Sequence, residues 1–217
     1  MLIEACIFDL DGVIVDSAKY HFLAWKKLAD KLAVPFSEKQ NEELKGVSRV
    51  DSLEKILNWG GLVLNNNKKL ELLELKNQWY LKYTEEMQSD ELLPGVHEFL
   101  SELKSAGIKI ALGSSSKNAV LILDKLGITH FFDEIIDGNK IHFSKPHPEV
   151  FLKAAAGLSI APQNCVVFED AQSGVESAIA GNFRCIGIGD PTVLSKANAV
   201  IPNLDGMTLA KLKEILN

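Results

Sequence analysis

Apolar residues along the chain fall into short continuous runs set between longer amphipathic stretches. The runs IEACIF (3–8), IKIALG (108–113), DEII (133–136), CVVF (165–168) and RCIGIG (184–189) have strand length and are rich in β-branched or aromatic residues. Stretches 95–106, 117–126, 147–157 and 173–181 repeat their apolar residues at the helical period. Alternation of this kind predicts an α/β fold, a doubly wound parallel sheet of Rossmann-like type with helices on both faces. Ligands of such sheets sit beyond the carboxyl ends of the strands.

The pattern changes between residues 15 and 92, where strand signals vanish. Ala18, Phe22, Trp25, Leu28, Ala29 and Leu32 form one helical stripe, and Leu72, Leu73, Trp79, Tyr80 and Tyr83 form another. A first strand at 3–8 whose sheet resumes near 108 implies an inserted helical domain. The predicted division is therefore 1–14 with 93–217 as the α/β core, and 15–92 as the insert. Leu93-Pro94-Gly95 punctuates the return, and Asn65-Asn66-Asn67 reads as a turn between helices.

The chain has 217 residues, 47% hydrophobic and 24% charged, enough to bury a sizeable core. A net charge of −6 argues against broad attraction to nucleic acid or anionic membrane. Cys6, Cys165 and Cys185 lie in or beside strand-like runs without metal-ligand spacing, so they are expected as buried reduced thiols. MLIEACIF is interrupted by Glu4 and closed by Asp9, which does not suit a leader segment. The expectation is a soluble, cytoplasmic protein.

Candidate chemistry sits at the predicted strand ends. Asp9 and Asp11 follow the first strand, two residues apart on extended chain and so on one side of it, and Gly12 then permits a sharp turn. Glu169-Asp170 close the 165–168 run in the same way. Two acidic strand ends brought together make an all-oxygen site suited to Mg²⁺. A single strand-end Asp is often just a helix cap, but two acidic pairs, each after an apolar strand, are harder to explain so. The run Ser114-Ser115-Ser116-Lys117-Asn118 precedes a helix and offers hydroxyls and free N–H groups to a phosphate. Lys145-Pro146 precedes another helix, and there a surface lysine is an equally good reading.

These four segments, in this order, resemble the four motifs of the haloacid dehalogenase superfamily of phosphotransferases, and the resemblance spans essentially the whole chain. It implies that Asp9 attacks phosphorus to form an aspartyl-phosphate and that Asp11 is the general acid and base. It further implies that Asp9 and Asp170 bind Mg²⁺ by side chain and Asp11 by its carbonyl, with Glu169 in the same metal site, and that Ser114 and Lys145 hold the transferring phosphoryl group.

The inserted stretches DGVIVDSAKYHFLAWK and NEELKGVSRVDSLEKIL, with Lys76-Asn77 and Ser114–Asn118, are similar to those of the β-phosphoglucomutase family. The similarity implies a helical cap that sets substrate specificity. His21 would link cap closure to Asp11. Gly46, Val47, Ser48, Arg49, Ser52, Lys76, Ser116, Lys117 and Asn118 would bind the substrate. A packed histidine and a snorkelling lysine remain the plainer readings of His21 and Lys76. Ser17 stands where the family often has threonine and Ser115 where alanine is common; the loop DGNKIHFS (137–144) carries no assignment. The expected activity interconverts β-glucose 1-phosphate and glucose 6-phosphate through bound glucose 1,6-bisphosphate. A sugar-phosphate phosphatase and a non-catalytic phosphosugar-binding module are the alternatives. The expected partner is a small hexose phosphate, not nucleic acid or membrane, and the chain is taken as a monomer.

Overall fold

The structure, a computed structural model, describes residues 2–85 and 87–217. Six strands among them are β1 (Ala5–Phe8), β2 (Lys109–Gly113), β3 (Glu134–Ile136), β4 (Cys165–Glu169), β5 (Arg184–Ile188) and β6 (Ala199–Ile201). They pair in parallel in the order β3-β2-β1-β4-β5-β6, which places β1 at the centre. All five strand-like runs become strands. β6 escaped prediction because it is three residues long and only half-buried, too short to show a period. The helices among the described residues are α1 (Ala18–Lys31), α2 (Glu38–Glu42), α3 (Arg49–Trp59), α4 (Asn66–Tyr83), α5 (Val96–Ser105), α6 (Ala119–Lys125), α7 (Glu149–Leu158), α8 (Gln172–Ala180) and α9 (Leu209–Leu216).

Alternation along the strands divides the core into two layers. Cys6, Phe8, Ile110, Leu112, Val166, Phe168 and Ile186 join one layer, covered by α5, α6 and α9. Ala5, Ile7, Ala111, Cys165, Val167 and Cys185 join the other, covered by α7 and α8. Phe8 stacks on Phe168 with ring centroids 4.7 Å apart, and Phe99 of α5 meets both edge-on. Burying one such side chain contributes about 1.5–3 kcal/mol, so this stack fixes the end of β1 immediately before Asp9. The three cysteines are buried free thiols, as expected.

Helices α1–α4 follow β1; α1, α3 and α4, with the links between them, share a separate core of Trp25, Leu28, Ala29, Val34, Phe36, Leu44, Leu53, Ile56, Leu57 and Leu72. Ser48 caps α3 by accepting from the Asp51 N–H at 3.1 Å, and Asn65 caps α4 by accepting from the Lys68 N–H at 2.9 Å. Of the Asn65–Asn67 run read as a turn, only Asn65 lies outside the helix. The chain leaves and re-enters the sheet layer at one place: the Leu93 N–H donates to Ile14 O at 3.0 Å, and Val15 bridges to Leu92. None of the helices among the described residues is long and apolar enough to cross a membrane.

Candidate active site

Asp9 stands one residue beyond β1, its N–H donating to Phe168 O at 3.0 Å. The wholly buried Lys145 ammonium lies 2.6 Å from Asp9 Oδ1 and 2.5 Å from Glu169 Oε1, above the Phe151 ring. Burial alone would lower the lysine, but the two carboxylates more than offset this and hold it above its ordinary value. Lys145 is therefore a buried cation of the site and not a surface lysine.

Asp9, Glu169 and Asp170 bring carboxylate oxygens within 4.8 Å of one another. Burial raises Asp170 well above its ordinary value, and the neighbouring charges of Glu169 and Asp9 add to it. Gly12, at φ +77°, lies so close that a Cβ there would overlap the Asp170 carboxylate. The cluster is an all-oxygen donor set short of positive charge, which fits Mg²⁺. Both Glu169 oxygens already have partners, one in Lys145 and one in the Ala171 N–H at 2.8 Å. Asp9 and Asp170 are left to face a cation most directly.

Asp11 accepts a hydrogen bond from the Ser17 hydroxyl. Burial, followed by the charge of Asp9, pushes its carboxyl up to about 6. A group that titrates near neutrality can both give and take a proton. His21 Nε2 lies 3.9 Å from Asp11 Oδ1, and its Nδ1 lies 3.1 Å from Lys76 Nζ. Burial, then the charges of Lys76 and Arg49, hold the imidazole well below its ordinary value. Burial thus favours the neutral imidazole of His21 over an ion pair with Asp11.

Lys76 does not snorkel. It is 2% exposed, its Nζ 4.6 Å from the Trp25 ring centroid and 4.8 Å from that of Tyr80. Burial, then repulsion from Arg49, pushes it down to about 7. Arg49 is the first residue of α3 and lines the cavity, so a guanidinium stands on the insert side of the site, away from Asp9. On the core side the Ser116 N–H donates to Ser114 Oγ at 3.1 Å, and Asn118 Nδ2 donates across to Asn77 Oδ1 of the insert at 2.9 Å.

These groups surround a cavity of about 360 Å³ between insert and core, a size suited to a small molecule. Every site residue nominated from the sequence lines it except Lys145 and Glu169, which are buried against its acidic end. Sequence reasoning missed Lys45, whose Nζ lies 3.7 Å from Asp170 Oδ2 and 2.9 Å from Glu42. It also missed Trp25, Asn41 and Ser144 in the lining. Lys45 directly precedes Gly46-Val47-Ser48-Arg49, and that adjacency was the available signal; Trp25 is hidden in an apolar stripe.

A buried carboxylate at the end of a central parallel strand, a lysine salt-bridged to it, a second acidic strand end and a helical cap over the cleft define a phosphotransferase of the haloacid dehalogenase type. The chain belongs to the haloacid dehalogenase-like hydrolases, whose family model matches residues 3–182. Among its relatives, β-phosphoglucomutase of Bacillus subtilis strain 168 is 41% identical, covering 97% of this chain and 94% of that protein. The crystal structure of β-phosphoglucomutase from Clostridium difficile is 43% identical and superposes with a TM-score of 0.96, covering 100% of this chain and 98% of that one. A phosphorylated carbohydrates phosphatase of Thermotoga maritima is 33% identical, over 99% of this chain and 97% of that protein.

Proposed function

We propose that this enzyme is a β-phosphoglucomutase that interconverts β-D-glucose 1-phosphate and D-glucose 6-phosphate through an aspartyl-phosphate at Asp9 and bound glucose 1,6-bisphosphate. Residues 1–14 and 93–217 act as the catalytic core and 15–92 as the specificity cap. The observation that carries this reading is the placing of basic side chains at two separate points: Lys145 against Asp9 behind the acidic end of the cavity, and Arg49 and Lys76 in its lining on the cap side. A mutase must grip a second phosphate away from its nucleophile while the first is transferred.

The Asp9 carboxylate attacks phosphorus. Asp11 gives a proton to the departing sugar oxygen and takes one from the attacking hydroxyl in the return step. Ser114 and Lys145 hold the phosphoryl oxygens in transfer. Gly46, Val47, Ser48, Arg49, Ser52 and Lys76 from the cap, with Ser116, Lys117 and Asn118 from the core, hold the sugar and its other phosphate. His21, between Asp11 and Lys76, positions Asp11 once the cap is closed. Asp9 and Asp170 by side chain and Asp11 by its carbonyl, with Glu169 bordering them, would hold Mg²⁺, which when bound supplies positive charge against the phosphoryl oxygens. Every residue in this scheme comes from one chain, so a monomer suffices, and unpaired thiols suit a reducing cytoplasm.

A phosphatase is the second reading, favoured by the Thermotoga relative. The test is product analysis with β-glucose 1-phosphate, Mg²⁺ and a trace of glucose 1,6-bisphosphate. Glucose 6-phosphate should form with little free phosphate; phosphate released faster than glucose 6-phosphate installs the phosphatase. In the same assay Arg49→Ala should raise KM ten- to more than a hundredfold, since a charge-assisted contact contributes about 1.5–3 kcal/mol. Hydrolysis of a small ester with a single phosphate should stay nearly unchanged. Equal loss of both activities would make Arg49 a structural residue.

A further inference from the structure

The cap's substrate loop is tied to the core by hydroxyls that the proposed chemistry does not use. Ser115, in the connection after β2, donates to Gly46 O at 3.1 Å. Ser173, in the first turn of α8 after β4, donates to Lys45 O at 3.1 Å. Ser144, in the connection after β3, donates to Asp51 Oδ2 at 2.7 Å, and the same oxygen accepts from the Ser48 N-cap hydroxyl at 2.6 Å. Three core segments, following β2, β3 and β4, thus converge on one short cap segment, residues 45–51, which also carries Ser48 and Arg49. Gly46 makes the approach possible: at φ +70° its α-carbon sits against Ser173, and a Cβ would press on that hydroxyl. The 137–144 loop, without a role in the motifs, is fixed at its base by Glu149 of α7, which accepts from the His142 and Phe143 N–H groups at 3.0 and 2.7 Å.

We infer that Ser115, Ser144 and Ser173 form a latch that holds cap residues 45–51 closed on the core and so directs the phosphoryl group of Asp9 to a sugar hydroxyl in preference to water. The inference rests on the mutase reading for its consequence, though not for the latch itself. In productive transfer the Asp9–phosphorus bond breaks, the sugar oxygen bonds phosphorus, its proton passes to Asp11, and the Asp9 carboxylate is regenerated. In the competing step water supplies the oxygen and proton, and inorganic phosphate leaves. Both routes use the same groups, so the outcome depends on how long the cleft stays shut with sugar inside. These are neutral or singly charged hydrogen bonds at a partly exposed seam. Removing one hydroxyl should shift the open–closed balance about two- to tenfold, and removing all three on the order of a hundredfold. The three serines are positioning residues: they touch the cap and not the reacting atoms.

The test compares the unmodified enzyme with Ser115→Ala, Ser144→Ala, Ser173→Ala and the triple variant. Hydrogen–deuterium exchange of the free protein is read at amides 44–51, beside turnover with β-glucose 1-phosphate and glucose 1,6-bisphosphate. Each single variant should speed exchange at 44–51 severalfold with strands β1 and β4 unchanged, and the triple variant more. The ratio of phosphate released to glucose 6-phosphate formed should rise in the same order, with KM increasing more than kcat falls. Ser144→Thr, which keeps a hydroxyl, should speed exchange at 44–51 less than Ser144→Ala does. Unchanged exchange at 44–51 in the triple variant overturns the latch, whichever product the unmodified enzyme makes. Faster exchange with an unchanged product ratio overturns its role in directing transfer. A triple variant whose exchange rises throughout would be unfolding, and the three single variants then decide.

Discussion

Asp9 and Asp11 carry the same functional group two residues apart, yet the fold gives them different partners. Asp9 faces the buried ammonium of Lys145, and Asp11 accepts from a serine hydroxyl beneath the cap. An anion held against a lysine is suited to attack; a carboxyl raised to about 6 is suited to shuttle a proton. Asp9→Asn keeps the shape but removes the nucleophile, so turnover should fall below detection and no phosphorylated protein should be seen by intact-mass measurement. Asp11→Asn should still form some phosphorylated protein while turnover drops about 10²–10⁴-fold. Normal turnover by Asp9→Asn would refute covalent transfer at this residue. Both aspartates were legible in the sequence because they close an apolar run. The burial of Lys145 was not, because a lysine before a proline looks the same on a surface as between two carboxylates.

Among the elements, α4 shows how an apolar stripe conceals a charge. Leu72, Lys76 and Tyr80 are its buried residues, and hydrophobic periodicity marks Leu72 and Tyr80 while leaving the lysine between them ambiguous. The structure resolves it, since Lys76 is lowered from 10.5 to about 7 by burial and then by Arg49. Between those values the unfolded chain binds more protons than the folded one, so stability should rise as pH increases from about 7 to about 10.5. Below 7 both states are protonated and the full cost of burying the charge remains, about 1.4 kcal/mol for each unit of displacement. Denaturant melts of the unmodified protein against Lys76→Met should show this as a difference that grows in favour of lysine with pH. The opposite slope would mean an ammonium stabilised in the fold. Strands were easier to read than this helix: 165–168 and its four companions each run apolar between turn residues. The seam hydroxyls Ser115, Ser144 and Ser173 were invisible because their partners lie far away in sequence and serine is common in any loop.

For the whole molecule, the acidic site lies at the edge of two apolar layers that do not depend on it. Chelation should therefore abolish activity and leave the circular dichroism spectrum of a folded protein, with Mg²⁺ restoring turnover; the melting temperature should rise only as far as binding to the native state allows. Full activity in metal-free buffer, or unfolding on chelation, would contradict this. The central place of β1 has a consequence for how the chain is made. Ala5 is made well before its sheet partners Lys109 and Cys165, on the order of ten seconds or more at ribosomal speed. The insert, with a core drawn from residues 22–79 alone, completes its contacts within that interval, since local contacts close fastest. Pulse-labelled exchange during refolding should accordingly protect the 22–79 core before residues 5–8; simultaneous protection would show that the insert waits for the sheet. Asp9, just beyond β1, would then be among the last residues to find its place, beside an insert that has already folded.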